Sequence, residues 1–109
     1  MGNRAREVAI IAHVVCWKLK DSALGKDKST NRTEMEARLK ALLGVVPELR
    51  RLDVSTTVVN TTEDFDIVLY TEFDDVPALD AYRVHPDHKR VAEFIGEVTE
   101  SRVAVDYEV

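Results

Sequence analysis

The chain is poor in the features that usually announce a compartment or a chemistry. Its single cysteine, Cys16, has no partner for an internal disulfide, which fits a reducing compartment. No apolar run approaches the roughly 20 residues needed to span a bilayer. Basic charge is not in excess either: 15 Lys and Arg stand against 20 Asp and Glu, and the net charge of −5 argues against nucleic acid or an anionic membrane as partner. A glycine-rich phosphate loop, a paired-cysteine metal motif and a Gly-x-Ser-x-Gly elbow are all missing, so no nucleotide, flavin or iron–sulfur cofactor is expected. The N-terminus imitates two targeting signals and fulfils neither. His13 interrupts the apolar stretch Val8 to Trp17 and no small-residue cleavage site follows it, while Arg6 stands where a myristoylation start needs Ser or Thr. A cytoplasmic protein is the expectation.

What is present reads as one ordinary domain spanning residues 1–109, with 1–7 as an N-terminal extension. An apolar fraction of 45% with 32% charge suits a packed core that needs no metal or disulfide to hold it. Val8 to Lys20, free of Gly and Pro, predicts a first strand, with Ile11, His13, Val15, Trp17 and Leu19 on one face. The other face, Ile10, Ala12, Val14 and Cys16, is apolar too, the mark of a strand covered on both sides. Asp21 to Ser29 is polar and reads as a loop. In the helix that follows, Met35, Leu39, Leu42 and Leu43 form an apolar stripe, Thr33 and Glu36 are spaced as a capping box if the helix starts late, and Gly44 and Pro47 close it.

Leu49 to Asn60 and Phe65 to Phe73 predict two further strands, joined through the polar turn Thr61 to Asp64 into an antiparallel hairpin. Asp75 reads as an N-cap with Pro77 just inside the next helix. That helix must break at Val84-His85-Pro86, because a residue before proline avoids helical angles. Val91, Ala92, Ile95 and Val98 then face inward from a second helical piece, and alternation from Arg102 to Val109 gives a last strand. The resulting βαββαβ order predicts an α+β, ferredoxin-like fold, a four-stranded antiparallel sheet with its helices on one face. The opposite face is left bare although it is apolar. A second copy packed sheet to sheet is the simplest cover, so a homodimer is expected.

Five segments in order resemble the stress-responsive dimeric α/β-barrel (Dabb) family. They are His13-Val14-Val15-Cys16-Trp17-Lys18-Leu19-Lys20-Asp21, Gly44-Val45-Val46-Pro47, Phe73-Asp74-Asp75, Leu79 to His88, and Val105-Asp106-Tyr107. The resemblance runs from about His13 to the C-terminus and implies the same ferredoxin-like dimer, its sheets packing as an α+β barrel. It implies no single function, since the family holds plant stress proteins, bacterial proteins of unknown role and a plant polyketide cyclase, and its wider fold relatives include cofactor-independent monooxygenases and haem enzymes.

His88 is the foremost candidate for chemistry. Val91, Ala92 and Ile95 follow it at i+3, i+4 and i+7, so the imidazole shares the apolar face of its helix, where it can act as a general base near neutral pH. Resemblance to the cyclase branch implies that role for His88, assisted by Tyr82 six residues earlier. A base beside a phenol suits proton abstraction next to a carbonyl. The structural alternative is equally concrete: His88 bonds backbone groups where the broken helix restarts, and Tyr82 is a core aromatic. His13, Val15, Trp17, Val91 and Ile95 are the candidate lining of a ligand pocket. His85, Asp87 and His88 are poorly spaced for a metal and no further ligand stands out, so no metal site is expected. Haem would have to use His13, His85 or His88 and is not expected. Cys16 reads as a small buried hydrophobe.

The sequence therefore predicts a homodimeric protein that holds a small apolar or aromatic molecule between sheet and helices. Its enzymatic versions are a cofactor-free cyclase with His88 as base, or a monooxygenase whose pocket shields a substrate anion from water. Its non-enzymatic version is a structural stress protein.

Overall fold

The computed structural model describes residues 9–109; the expected N-terminal extension, residues 1–7, and the Val8 start of the first strand lie outside the described residues. The chain runs through β1 (Ile11–Leu19), a small hairpin of β2 (Ser22–Ala23) and β3 (Lys26–Asp27), α1 (Lys28–Lys40), β4 (Arg51–Ser55), β5 (Ile67–Phe73), α2 (Val76–Val84), α3 (Pro86–Val98) and β6 (Thr99–Glu108). The main sheet has the order β4-β5-β1-β6 and its neighbours pair antiparallel, which is the ferredoxin-like arrangement.

Strand alternation decides what meets the helices. Val15, Trp17 and Leu19 of β1 and Ile67, Leu69 and Phe73 of β5 all lie buried against the helices. From the helix layer Met35, Leu39, Leu79, Tyr82 and Val98 close the same core. Each such side chain contributes about 1.5–3 kcal/mol of burial. The intervening residues point the other way. Val103, Val105 and Tyr107 of β6 pair with Cys16, Val14 and Ala12, and they remain 52%, 56% and 47% exposed. Together with Val68 and Tyr70 they form an apolar sheet face that no helix covers.

Several boundaries differ from the sequence reading, each for a local reason. Asp21 to Ser29 is not a plain loop. Leu24 and Gly25 both take positive φ, 55° and 74°, and turn β2 into β3, and the Asn31 amide donates to the Ala23 and Lys26 carbonyls beneath the turn. Asp27 then caps α1 by accepting from the Thr30 amide at 2.8 Å, so the helix starts before the expected capping box. Thr33 sits inside the helix with its hydroxyl donating to the Ser29 carbonyl, and Glu36 pairs with Lys40. Leu42 is buried, but Leu43 is 49% exposed because α1 has already ended at Lys40. β4 stops at Ser55, opposite Val68, since β5 offers no partner before Ile67. β6 starts directly after α3, at Thr99.

The break between α2 and α3 falls where it was expected. His85 is extended (φ −62°, ψ 135°), Pro86 opens α3, and the His85 Nδ1 accepts from the Asp87 amide at 3.1 Å. Asp75 caps α2 through the Ala78 amide. These two short helices, rather than one long one, bring residues 82–88 over the sheet beside β1.

Candidate functional site

Small residues leave room where larger ones would have closed the core. Ala104 on β6 stands opposite Val15 on β1, and Ala92 and Gly96 face it from α3. The result is a cavity of about 470 Å³ between sheet and helices. His13, Val15, Trp17, Tyr82, His88, Val91 and Ile95, every residue nominated from the sequence, lie in its wall. Two direct cross-strand pairs form its floor on the β1–β6 side, Trp17 with Arg102 and Val15 with Ala104, and His13 stands beside them opposite Asp106.

His88 stands on the first turn of α3 and reaches back to the end of α2. Its Nδ1 lies 3.1 Å from the Arg83 carbonyl oxygen. A carbonyl only accepts, so the neutral ring carries its proton on Nδ1 and keeps its lone pair on Nε2. Burial pushes the imidazole below its ordinary pKa of 6.5, the Arg83 carbonyl opposes that shift, and the charges of His13, Arg83 and Arg102 reinforce it. His88 is therefore mainly neutral near pH 7. Tyr82 packs beside it, with ring centroids 4.4 Å apart and planes tilted by 53°, and Phe73 backs Tyr82 at 4.9 Å. Burial pushes the Tyr82 phenol up to about 12, so the group stays protonated and serves as a donor.

A second cluster closes one side of the cavity. His13 Nδ1 is 2.5 Å from Asp106 Oδ1, and Arg83 Nη2 donates to the other carboxylate oxygen at 2.9 Å. Partial burial raises the Asp106 carboxyl, but the bonds and charges of His13 and Arg83 outweigh it and hold the group below the ordinary carboxylate range. Arg83 thus serves both clusters, its guanidinium on Asp106 and its carbonyl on His88. Trp17 is only 4% exposed, and its indole Nε1 has no hydrogen-bond partner. Sequence reasoning missed Arg83, Arg102, Ala104 and Asp106. The available signal was the alternation of β6, which turns Val103, Val105 and Tyr107 to the bare face and so sends Arg102, Ala104 and Asp106 inward.

The remaining candidates fall elsewhere. His85 caps α3, and Cys16 lies on the bare sheet face, where burial pushes its thiol up. Among the described residues no three His, Cys, Asp or Glu side chains gather as a metal site, and no helix is long and apolar enough to cross a membrane.

A ferredoxin-like sheet carrying a cavity under a broken second helix defines a class of small α+β proteins. Within that class the chain belongs to the stress-responsive A/B barrel domain (Dabb) family, whose sequence profile matches residues 11–109. It is 28% identical over 108 residues to the stress-response A/B barrel domain-containing protein DABB1 of Arabidopsis thaliana. That match covers 91% of this chain and 47% of the relative, so the chain spans about half the length of that protein. Among solved structures it is similar to a dimeric protein of unknown function and ferredoxin-like fold from Bacteroides fragilis, with 30% identity, a TM-score of 0.79, and coverage of 92% of this chain and 96% of that one. A hydroxynitrile lyase from Passiflora edulis shares the fold at 16% identity with a TM-score of 0.79, each chain 94% covered.

Proposed function

We propose that this protein is a homodimer, closed through the bare sheet face, whose cavity binds a small and largely apolar organic molecule. The apolar face formed by Val14, Cys16, Val68, Val103 and Val105 supports the dimer, as does the dimeric state of the 30% identical relative. The cavity volume of about 470 Å³ lies within the usual range of small-molecule sites, and Val15, Leu69, Val91 and Ile95 give it apolar surface beside the polar groups of His13, Tyr82, His88 and Arg102.

Acid–base chemistry without a cofactor is the activity that suits these walls. The observation that carries it is the hydrogen bond from His88 Nδ1 to the Arg83 carbonyl, which leaves a neutral Nε2 as base beside a protonated Tyr82. Nε2 takes a proton from carbon next to a substrate carbonyl; the electron pair moves to the carbonyl oxygen, where the Tyr82 hydroxyl stabilises the enolate. A structural reading draws on the same bond, since it also satisfies a carbonyl in the last turn of α2.

A thermal-shift screen of wild type and His88→Ala against aromatic polyketides, phenols and haem separates the two. A compound that stabilises wild type and loses most of that effect in the variant supports the binding role. A lower melting point for the variant, with no compound stabilising either protein, leaves the structural reading.

A further inference from the structure

The cavity's polar groups are unevenly satisfied, and the imbalance points to the charge of the occupant. Arg83 is balanced, with Asp106 at 2.9 Å and Asp80 at 3.5 Å. His13 is balanced by the same Asp106. Arg102 lines the cavity and, among the described residues, has no carboxylate within salt-bridge distance. Its direct neighbour across β1 and β6 is Trp17, whose buried indole N–H also lacks an acceptor. The indole nitrogen is sealed within the wall, whereas Arg102 is exposed, lines the cavity and carries a charge that no carboxylate of the described residues offsets. A cation beside apolar cavity surface favours an anionic ligand group.

We infer that the ligand is a small organic carboxylate, its acid group held by the Arg102 guanidinium and its apolar body lying along Val15, Leu69, Val91 and Ile95. This rests on the cavity being a binding site, as proposed above. One unmatched guanidinium calls for one negative charge, so a carboxylate fits better than a doubly charged phosphate. A planar carboxylate can also accept two parallel bonds from the Arg102 fork. Arg102 further supplies part of the positive potential felt at His88, so an anion seated on it would ease protonation of His88.

Calorimetric titration with 3-phenylpropanoate and its neutral amide, 3-phenylpropanamide, tests the assignment on wild type and Arg102→Gln. Arg102 is exposed on an edge strand, so its replacement leaves the core intact. Wild type should bind the carboxylate about ten-fold or more tightly than the amide, the preference expected of a charge-assisted bond. Arg102→Gln should bind both probes alike. Equal affinity of wild type for the two probes, or a preference that survives in Arg102→Gln, overturns the carboxylate while leaving a neutral-ligand site standing. Binding of neither probe by wild type overturns both the carboxylate and the site on which it rests.

Discussion

Asp106 on β6 holds His13 on the neighbouring β1 at 2.5 Å, and its second oxygen is held by Arg83 of α2. The contact ties an edge strand that is otherwise exposed along nearly its whole length to both the sheet and the helix layer. It also fixes the side of the cavity on which His13 stands.

Asp106→Asn should lower stability by about 1 kcal/mol, at the small end for a charged hydrogen bond because the carboxylate is partly solvated. The pH dependence has a definite sign. The folded carboxyl lies below its ordinary pKa, so its contribution is complete above the unfolded value and is lost as pH falls through the folded one. Urea midpoints of wild type and variant should differ at neutral pH and converge below about pH 4. A constant difference across that range would show that Asp106 acts only through packing.

His88 predicts a second, separate pH effect. Its folded pKa is depressed below 6.5, so the unfolded chain takes up a proton first as pH falls. Wild type should therefore lose stability below about pH 6.5 relative to His88→Gln, which cannot be protonated there. Denaturant titrations of both proteins on either side of that pH check the expectation, and parallel curves would contradict it.

The bare sheet face carries the prediction about assembly. Val105→Asp puts a charge opposite Val14 on the side away from the cavity. The variant should sediment as a monomer with an unchanged far-ultraviolet circular dichroism spectrum, since a lone buried carboxylate at an apolar interface is strongly disfavoured. An intact dimer would place the interface elsewhere.

Gly96 gives a prediction of opposite sign. It lies inside α3, and a methyl group added there meets nothing within 4 Å. Gly96→Ala should raise stability by about 0.5–1 kcal/mol through helix propensity alone. A fall in melting temperature would mean that this stretch of α3 needs the freedom of glycine.

The parts of the fold legible in the sequence are those set by local covalent rules or by strong alternation. Pro86 fixed the break between α2 and α3, and the two-sided apolar pattern of β1 marked it as central. The β2–β3 hairpin was hidden because Leu24 takes a left-handed backbone that its residue type does not advertise. Where α1 starts was not legible, because Thr33 and Glu36 imitate a cap that Asp27 supplies earlier. In the site, His13 and His88 were visible as polar groups on apolar faces, and Tyr82 through the family resemblance. Asp106 and Arg102 were not singled out, although the alternation of β6 sends them to the face opposite Val103, Val105 and Tyr107; Arg83 was not legible, since its role depends on Asp106 coming within reach, a matter of tertiary pairing.

Trp17 is the sole tryptophan and stands in the cavity wall, so its emission reports directly on occupancy. Titrating 4-propylphenol into wild type and into Ala104→Phe, which fills the space opposite Val15, is the most direct test that the cavity is a binding site. Wild-type emission should change saturably, and that of the folded variant should not change. Equal changes in both proteins, or no change in either, would contradict binding in the cavity.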